Sequence, residues 1–83
     1  MYQVNLLNSA KKDLKRLDKR FQKKAIFVLR LLKANPLLGE KMEGELKGWF
    51  RIKIPPLRII YTPDFKNKII WIRAIGLRGA VYK

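Results

Sequence analysis

The order of apolar and polar positions divides the chain into a helical part and a strand part. Residues 2–7 alternate in polarity and predict a short strand. From Ala10 onwards the apolar positions recur every three or four residues, which predicts helices with one buried stripe each. The first stripe consists of Ala10, Leu14, Leu17 and Phe21. The second, within about 21–34, consists of Ala25, Val28, Leu29 and Leu32 and is widened by Ile26, Phe27 and Leu31. Residues 18–20 predict a break between two helices, although one bent helix has the same pattern.

The boundaries of the helical part follow from capping and breaking residues. Ser9 is the predicted N-cap of the first helix. Asn35-Pro36 ends the second helix, because proline disfavours helical geometry in the residue before it. Residues 37–48 contain three glycines and predict a connecting loop with room for one helical turn.

The period changes to two in the second half of the chain. Alternation predicts strands over 50–54, 57–62 and 68–75, separated by turns at Pro55-Pro56 and at 63–67. Gly76 closes the last strand and leaves a short tail. The predicted order is therefore β-α-α-β-β-β, an α+β arrangement with two local hairpins at its end.

The first hairpin has the same register whether its loop contains two or four residues. Lys53 lies opposite Arg58 in both cases, and opposite residues of an antiparallel pair point to the same face. The predicted apolar face, directed toward the helices, consists of Phe50, Ile52, Ile54, Leu57, Ile59 and Tyr61. The other face carries Arg51, Lys53 and Arg58 beside Ile60 and Thr62. We expect the four-residue loop, because proline cannot adopt the positive φ of a tight primed turn; a loop of odd length would break the assignment.

Composition narrows the chemistry. The chain has 83 residues, which predicts one domain over 1–83, and it contains no cysteine and no histidine. Disulfides, thiolate zinc sites and the commonest general base are therefore excluded. Its six acidic residues show no metal-ligand spacing, so we predict neither a metal nor a cofactor. No apolar run reaches the length of a membrane span and the first residues do not resemble a signal peptide, so we expect a cytoplasmic protein with no membrane partner.

The charge balance predicts a polyanionic partner. Twenty Lys and Arg against six Asp and Glu give a formal net charge of +14. Two helical rows at i,i+4 spacing carry one sign: Lys15, Lys19 and Lys23, and Lys12, Arg16, Arg20 and Lys24. Each like-charge neighbour costs an isolated helix a few tenths of a kcal/mol, which favours a binding role. A solvated helix face is the alternative explanation of these rows.

The pair Lys53 and Arg58 is the more specific charge signal. Two cations directly across a ladder repel each other unless an anion such as a phosphate sits between them. Exposed cations that protect a sheet from aggregation are the alternative. Arg73 and Arg78 extend the same surface if their side chains lie on that face.

Lys, Arg, Tyr and carboxylates are the groups left for catalysis. One reaction that suits them is the attack of an RNA 2′-OH on the adjacent phosphate. It requires loss of one proton, gain of another and stabilisation of charge on the phosphoryl oxygens. Arg and Lys supply that stabilisation, and a tyrosine or lysine crowded by cations loses its proton more readily.

Several motifs, in order, resemble those of the RelE/ParE toxin superfamily. Residues 49–54 and 57–61 look like its "R-x-x-x-y-R-ii-Y" block, and 75–78 with 81–82 are similar to its "iG-x-R…vY" ending. Residues 10–17, 32–36 and 46–48 resemble its "a-kdL-kL", "L-x-x-nP" and "L-kG" patterns. The resemblance covers nearly the whole chain.

This resemblance implies two helices packed on a small, curved, mostly antiparallel sheet. In the RelE branch it implies a ribosome-dependent endoribonuclease that cuts mRNA in the ribosomal A site. It also implies a cognate RelB-like antitoxin, acidic and wrapped around the toxin, with operator DNA contacted only through that antitoxin.

The resemblance also implies roles for individual residues. Arg58 and Arg78 would bind and stabilise the scissile phosphate, and Lys53 would assist proton transfer or electrostatics in the same groove. Tyr82 would position or activate the 2′-OH. The further RNA-binding residues of this predicted site are Lys47, Arg51 and Arg73. Relatives often carry His where this chain has Leu77.

Two other functions stay open at this point. A ParE-type toxin inhibits DNA gyrase and cleaves no RNA, but members of that branch generally lack the combination of Arg58, Arg78 and Tyr82. A non-catalytic RNA-binding protein, such as a ribosome component, fits the basic composition equally well.

Overall fold

The computed structural model describes residues 2–77. Its elements, in chain order, are β1 (Gln3–Leu6), α1 (Asn8–Arg16), α2 (Lys19–Ala34), β2 (Glu40–Lys41), a 3-10 helix (Gly44–Leu46), β3 (Phe50–Ile54), β4 (Leu57–Asp64) and β5 (Ile69–Leu77). The strands form one sheet in the order β1-β5-β4-β3-β2, in which β1 runs parallel to β5 and the other neighbours are antiparallel. The predicted α+β fold, with two helices on a mostly antiparallel sheet, is confirmed. None of the helices within the described residues is long and apolar enough to cross a membrane.

The core lies between the two helices and one face of the sheet. The helices contribute Ala10, Ala25, Val28, Leu29 and Leu32, and the sheet contributes Ile52, Leu57, Ile59, Tyr61, Ile70, Ile72 and Ile75. Leu14, Leu17 and Phe21 pack against this cluster, so the first predicted stripe and the positions 25, 28, 29 and 32 of the second face the sheet. The prediction that Ile26, Phe27 and Leu31 widen the second stripe is wrong, because these side chains are exposed. Burial of each large apolar side chain stabilises the fold by about 1.5–3 kcal/mol. The predicted apolar face of the first hairpin is confirmed.

The helices α1 and α2 are separate, as the break near residue 18 predicted. Leu17 and Asp18 are extended, with ψ of 148° and 152°, and Gln22 Nε2 donates to the Leu14 carbonyl at 2.9 Å across the break. The predicted N-cap at Ser9 is wrong, because α1 begins at Asn8. The Ser9 hydroxyl instead donates to the carbonyl of Arg73 on β5, the strand on which α1 packs.

The loop predicted for residues 37–48 contains a short strand in addition to its helical turn, so the prediction of four strands is wrong. In β2, Glu40 pairs with Arg51 and Lys41 with Phe50 of β3. Two residues are too few to show alternation, and this strand depends on contacts made before it. The Tyr61 hydroxyl donates to the Pro36 carbonyl at 2.9 Å and accepts from the Gly39 N–H at 2.8 Å.

The first hairpin has the predicted register but not the predicted loop length. Ile54 pairs with Leu57 and Lys53 with Arg58, so the loop consists of Pro55 and Pro56 alone, joined by a cis peptide bond. The expectation of four residues considered only primed turns, and a turn with a cis proline belongs to another class. At its other end β4 continues through residues 63 and 64, which were predicted as part of a turn.

Candidate functional site

The sheet face turned away from the helices carries most of the predicted site. We call it the open face; it is formed by residues 51 and 53 of β3, 58, 60 and 62 of β4, and 71, 74 and 76 of β5. It is not uniformly polar, because Ile60 lies on it and is 1% exposed. Arg51 and Ala74 are the cross-strand partners of this isoleucine.

One row across the open face places two cations beside a glycine. Lys53 lies directly opposite Arg58, and Arg58 lies opposite Gly76 on the next strand. Side chains in such pairs start about 4.5–5.5 Å apart at Cβ. Gly76 has no side chain, which leaves space on the third strand of this row. We call Lys53, Arg58 and Gly76 the basic row.

The basic row borders a pocket at the hairpin end of the sheet. The pocket has a volume of about 260 Å³ and is lined by Lys53, Pro55, Pro56, Leu57 and Arg58. Lys53 is exposed and Arg58 is half-buried, so the ammonium is open to solvent and the guanidinium is partly covered. A fork-shaped guanidinium matches two oxygens of a phosphate, whereas an ammonium acts as a point charge.

A third cation reaches the same end of the molecule from the helices. Lys24 Nζ donates to the Pro55 carbonyl at 2.8 Å. The sequence alone places Lys24 in an i,i+4 row with Lys12, Arg16 and Arg20, but the break between α1 and α2 interrupts that row. The contact brings α2 to the loop that lines the pocket, and the pairing between distant segments could not be found from local periodicity.

Arg51 occupies the next row and pairs with a carboxylate. Its Nη2 lies 3.1 Å from Oε2 of Glu40, which is its partner across β2 and β3. This ion pair was missed at the sequence level because β2 was predicted as a loop. Glu40 thus neutralises part of the charge of the open face.

Arg73 lies at a bulge in β5, and its side chain contacts Trp49, the residue before β3. Tyr61 pairs with Ile72 whereas Ile60 pairs with Ala74, so Arg73 is the extra residue. Its guanidinium carbon lies 5.2 Å from the ring centroid of Trp49. Strict alternation from Ile72 would direct Ile75 to the open face. The extra residue at the bulge shifts the alternation by one position, so Ile75 points into the core.

Two side chains of α1 hold the bulge in place. The Ser9 hydroxyl donates to the Arg73 carbonyl at 2.6 Å, and Oδ2 of Asp13 accepts from the Ile75 N–H at 3.1 Å. Ser9 and Asp13 are one helical turn apart and therefore lie on the same side of α1. Their bonds orient the segment that brings Gly76 opposite Arg58.

Tyr61 is a structural residue of the core face. It is 0% exposed, and burial raises the pKa of its hydroxyl, with the Gly39 N–H opposing that rise. The ring stacks on Phe50 with centroids 5.5 Å apart. Gly39 fits closely against it, because a Cβ there would lie 2.7 Å from the Arg51 carbonyl oxygen and 2.9 Å from the tyrosine ring.

Comparison with known proteins assigns the chain to a family. Residues 4–82 match the family model of the ParE toxin of type II toxin–antitoxin systems. The chain belongs to the RelE/ParE toxin superfamily. It is thus the toxin of a type II toxin–antitoxin system, and the superfamily indicated by its ordered motifs is confirmed.

Three relatives illustrate the match. A protein of Methanocaldococcus jannaschii, named as a candidate toxin RelE1, is 34% identical over 99% of this chain and 96% of its own. The structure of the RelBE2 toxin–antitoxin complex of Mycobacterium tuberculosis contains a chain with a TM-score of 0.87 and 26% identity, over 93% of this toxin and 98% of that chain. The isolated E. coli RelE toxin has a TM-score of 0.82 and 15% identity, over 99% and 89% of the two chains, and shows a shared fold.

The structure brings together only part of the site predicted for this toxin. Lys53 and Arg58 share the basic row, Arg51 pairs with Glu40, and Arg73 contacts Trp49. Lys47 is exposed and follows the 3-10 helix, away from the basic row along the chain. Arg78 and Tyr82 lie outside the described residues; the last described residue, Leu77, pairs with Leu57 beside the pocket.

Proposed function

We propose that this toxin is a ribosome-dependent endoribonuclease that cuts mRNA in the ribosomal A site. The observation that carries the proposal is the basic row, in which Lys53 lies directly across from Arg58 beside Gly76. This arrangement suits a single phosphate, since an ammonium and a guanidinium on the same face can both donate to its oxygens. The resemblance of the motifs to the RelE branch supports the choice of RNA as substrate.

The reaction is the attack of a 2′-OH on the adjacent phosphate. The 2′ oxygen forms a bond to phosphorus, the bond to the 5′ oxygen of the next nucleotide breaks, and the 2′ proton and a proton for the leaving oxygen must be transferred. Arg58 and Arg78 stabilise the charge on the phosphoryl oxygens. Lys53 provides further electrostatic stabilisation or the proton for the leaving group, and Tyr82 positions or activates the 2′-OH.

Other residues of the toxin bind or orient the RNA. Arg51, Arg73 and Lys47 contact its backbone or bases, with Arg51 held by Glu40. The exposed helical cations attract the RNA-rich ribosome at longer range. The residues of the basic row therefore act at short range on one phosphate, whereas the helical cations contribute general attraction.

The test is the double substitution Arg58→Ala with Arg78→Ala. We expect cleavage of mRNA in programmed ribosomes to fall by about 100-fold or more, because loss of one preorganised charge stabiliser typically costs 10²–10³ in rate. The matched control is Arg20→Ala with Arg30→Ala, which removes the same two positive charges from exposed positions of α2. Undiminished cleavage by a folded Arg58/Arg78 variant would falsify the site.

The partner of this toxin in the cell is an acidic, RelB-like antitoxin that wraps around it. α2 exposes Phe27 and Leu31, one turn apart, with exposed fractions of 59% and 38%. Leu37 and Leu38, in the loop after the helix, are also exposed, and the exposed Arg30 directly precedes Leu31 in the sequence. We call Phe27, Leu31, Leu37 and Leu38 the helix patch.

An acidic amphipathic segment covers such apolar side chains and pairs with the cations around them. Operator DNA is contacted only through the antitoxin.

A ParE-type activity is the second candidate, because the matching family model is that of ParE toxins. It predicts stalled replication and intact mRNA in cells that express the toxin. Mapping of mRNA ends and of replication forks in the same cells distinguishes the two activities. A role as a ribosome component is set aside by the family assignment.

A further inference from the structure

Outside the basic row, the open face carries an aromatic feature that the proposed reaction does not use. Trp49 directly precedes β3, and the next residue, Phe50, faces the core and stacks on Tyr61. Successive side chains of a strand point to opposite faces, so Trp49 lies on the side of Arg51 and Lys53. Both Trp49 and the Arg73 beside it keep contact with solvent.

Arg73 covers the indole in a cation–π arrangement. The 5.2 Å between its guanidinium carbon and the ring centroid is within the range of an attractive contact. A guanidinium is planar, and the plane that does not face the indole is a surface on which another flat ring can stack. Arginine planes and aromatic rings are the surfaces on which proteins stack unpaired nucleobases.

The backbone on both sides of this pair is held before any ligand binds. The carbonyl of Arg73 accepts from Ser9, and the carbonyl of Gly48, next to Trp49, accepts from the Thr62 hydroxyl at 2.8 Å. Trp49 also donates its N–H to the Leu46 carbonyl and accepts from the Met42 N–H. A cation–π pair whose backbones are both held loses less conformational freedom when a base is added.

The distance to the basic row suits one continuous RNA strand. Trp49 lies four residues before Lys53. At about 3.3 Å per residue this separation is about 13 Å along the sheet. At about 3.4 Å per stacked nucleotide, it corresponds to no more than about four nucleotides.

We propose that Trp49 and Arg73 form a base-stacking platform for a nucleobase of single-stranded RNA, placed a few nucleotides from the phosphate held at the basic row. This subsite rests on the proposed function for the identity of the bound RNA. It specifies that Arg73, together with Trp49, contacts a base, whereas the basic row contacts a phosphate. Every base has a flat face, so the platform selects unpaired nucleotides rather than a particular sequence.

The two tryptophans of the chain make a site-specific test possible. Trp71→Phe leaves Trp49 as the single tryptophan, and Trp49→Phe leaves Trp71. Each variant is titrated at low salt with a short 2′-O-methyl RNA, which lacks the attacking hydroxyl and stays intact. We expect the fluorescence of Trp49 to be quenched on binding. A series with a single abasic nucleotide at successive positions should contain one position that abolishes the quenching and weakens binding about 5- to 150-fold.

Arg73→Lys separates the platform from simple charge. It keeps the positive charge but lacks the stacking plane, so its binding should retain salt dependence and lose the effect of the abasic position. Thermal midpoints and circular dichroism of all variants verify that the fold is retained. Absence of Trp49 quenching, absence of binding at low salt, or equal abasic effects in the Arg73→Lys variant would each overturn the platform.

Cleavage assays in programmed ribosomes keep the two proposals distinguishable. Failure of the platform with cleavage intact leaves the proposed ribonuclease in place. Retention of the position-specific abasic effect without any mRNA cleavage upholds the platform and overturns the ribonuclease assignment.

Discussion

The helices and the open face of the sheet both carry excess positive charge, but they hold it in different ways. On α1 and α2 the cations are exposed, such as Lys15 on α1 and Lys19 and Lys23 on α2, and the break at residues 17–18 interrupts the continuous i,i+4 rows that the sequence predicts. On the open face, Lys53 and Arg58 are held in one row by the register of two strands, beside Gly76 and a pocket. Exposed charges are screened by salt within about 10 Å, whereas charges held around a pocket act on one bound group.

This difference teaches that the number of charges and their placement serve different purposes. The exposed cations of α1 and α2 strengthen the general attraction of the toxin to polyanions, and loss of one of them changes the net charge only slightly. The basic row has a geometry defined by the strand register, and under the proposed function loss of one member would remove a contact to one phosphate. The helical layer also contains exposed apolar side chains, which the basic row lacks, so it suits a protein partner better than a nucleic acid.

The largest effect is expected at the helix patch, where a substitution tests whether the helices bind the protein partner. Phe27→Asp with Leu31→Asp should weaken antitoxin binding about 100-fold or more, because hot-spot residues contribute about 2 kcal/mol or more each and the new charges repel an acidic partner. Cleavage of mRNA should be unchanged. The measurement is the affinity for the cognate antitoxin, together with rescue of growth by that antitoxin.

Phe65→Asp is the control for that variant. Phe65 is a similarly exposed aromatic residue, 53% exposed, in the turn before β5. Equal losses of affinity in the control and in the Phe27/Leu31 variant would rule out the helix patch as the antitoxin surface.

We expect an intermediate effect at Tyr61, whose hydroxyl joins the loop after α2 to the sheet. Tyr61→Phe removes the hydroxyl that connects Pro36 and Gly39 to the sheet, which should lower the free energy of unfolding by about 1–3 kcal/mol, since two polar backbone groups lose their partner. Denaturant titration measures the loss. The basic row should keep its activity at temperatures where the variant is folded.

The same tyrosine predicts a pH dependence. Burial raises the pKa of Tyr61 above the usual value near 10, so the folded state keeps this proton while the unfolded state releases it. Its contribution to stability is therefore complete below about pH 10 and is lost as the pH rises through the folded pKa. The difference in stability between wild type and Tyr61→Phe should shrink above pH 10, and a constant difference would contradict the assignment.

The smallest effect is expected at Lys24 and tests whether this residue acts through its contact with the first hairpin or only through its charge. Lys24→Met keeps the aliphatic stem and removes the donor to the Pro55 carbonyl, which should cost about 0.5–1.5 kcal/mol of stability and reduce cleavage a few-fold. Lys23→Met, at the adjacent exposed position, removes the same charge without that bond. If both variants lose the same activity at low and high salt, Lys24 acts only as bulk charge.

The extent of successful prediction differs between the first hairpin and the segment before it. The pairing of Lys53 with Arg58 was predictable because alternation has a period of two and any even loop length preserves it. The strand β2 was not, because two residues carry no period. Its ion pair between Glu40 and Arg51 was missed for the same reason.

The sequence by itself determined the layers of this toxin, the superfamily motifs and the register of the first hairpin. These features depend on local periodicity and on side chains a few residues apart. The tertiary structure decided the bulge at Arg73, the bonds of Ser9 and Asp13 to β5, the contact between Lys24 and Pro55, and the cation–π contact of Arg73 with Trp49. Each of these joins residues far apart in the chain, and such contacts form only when the helices and the sheet pack together.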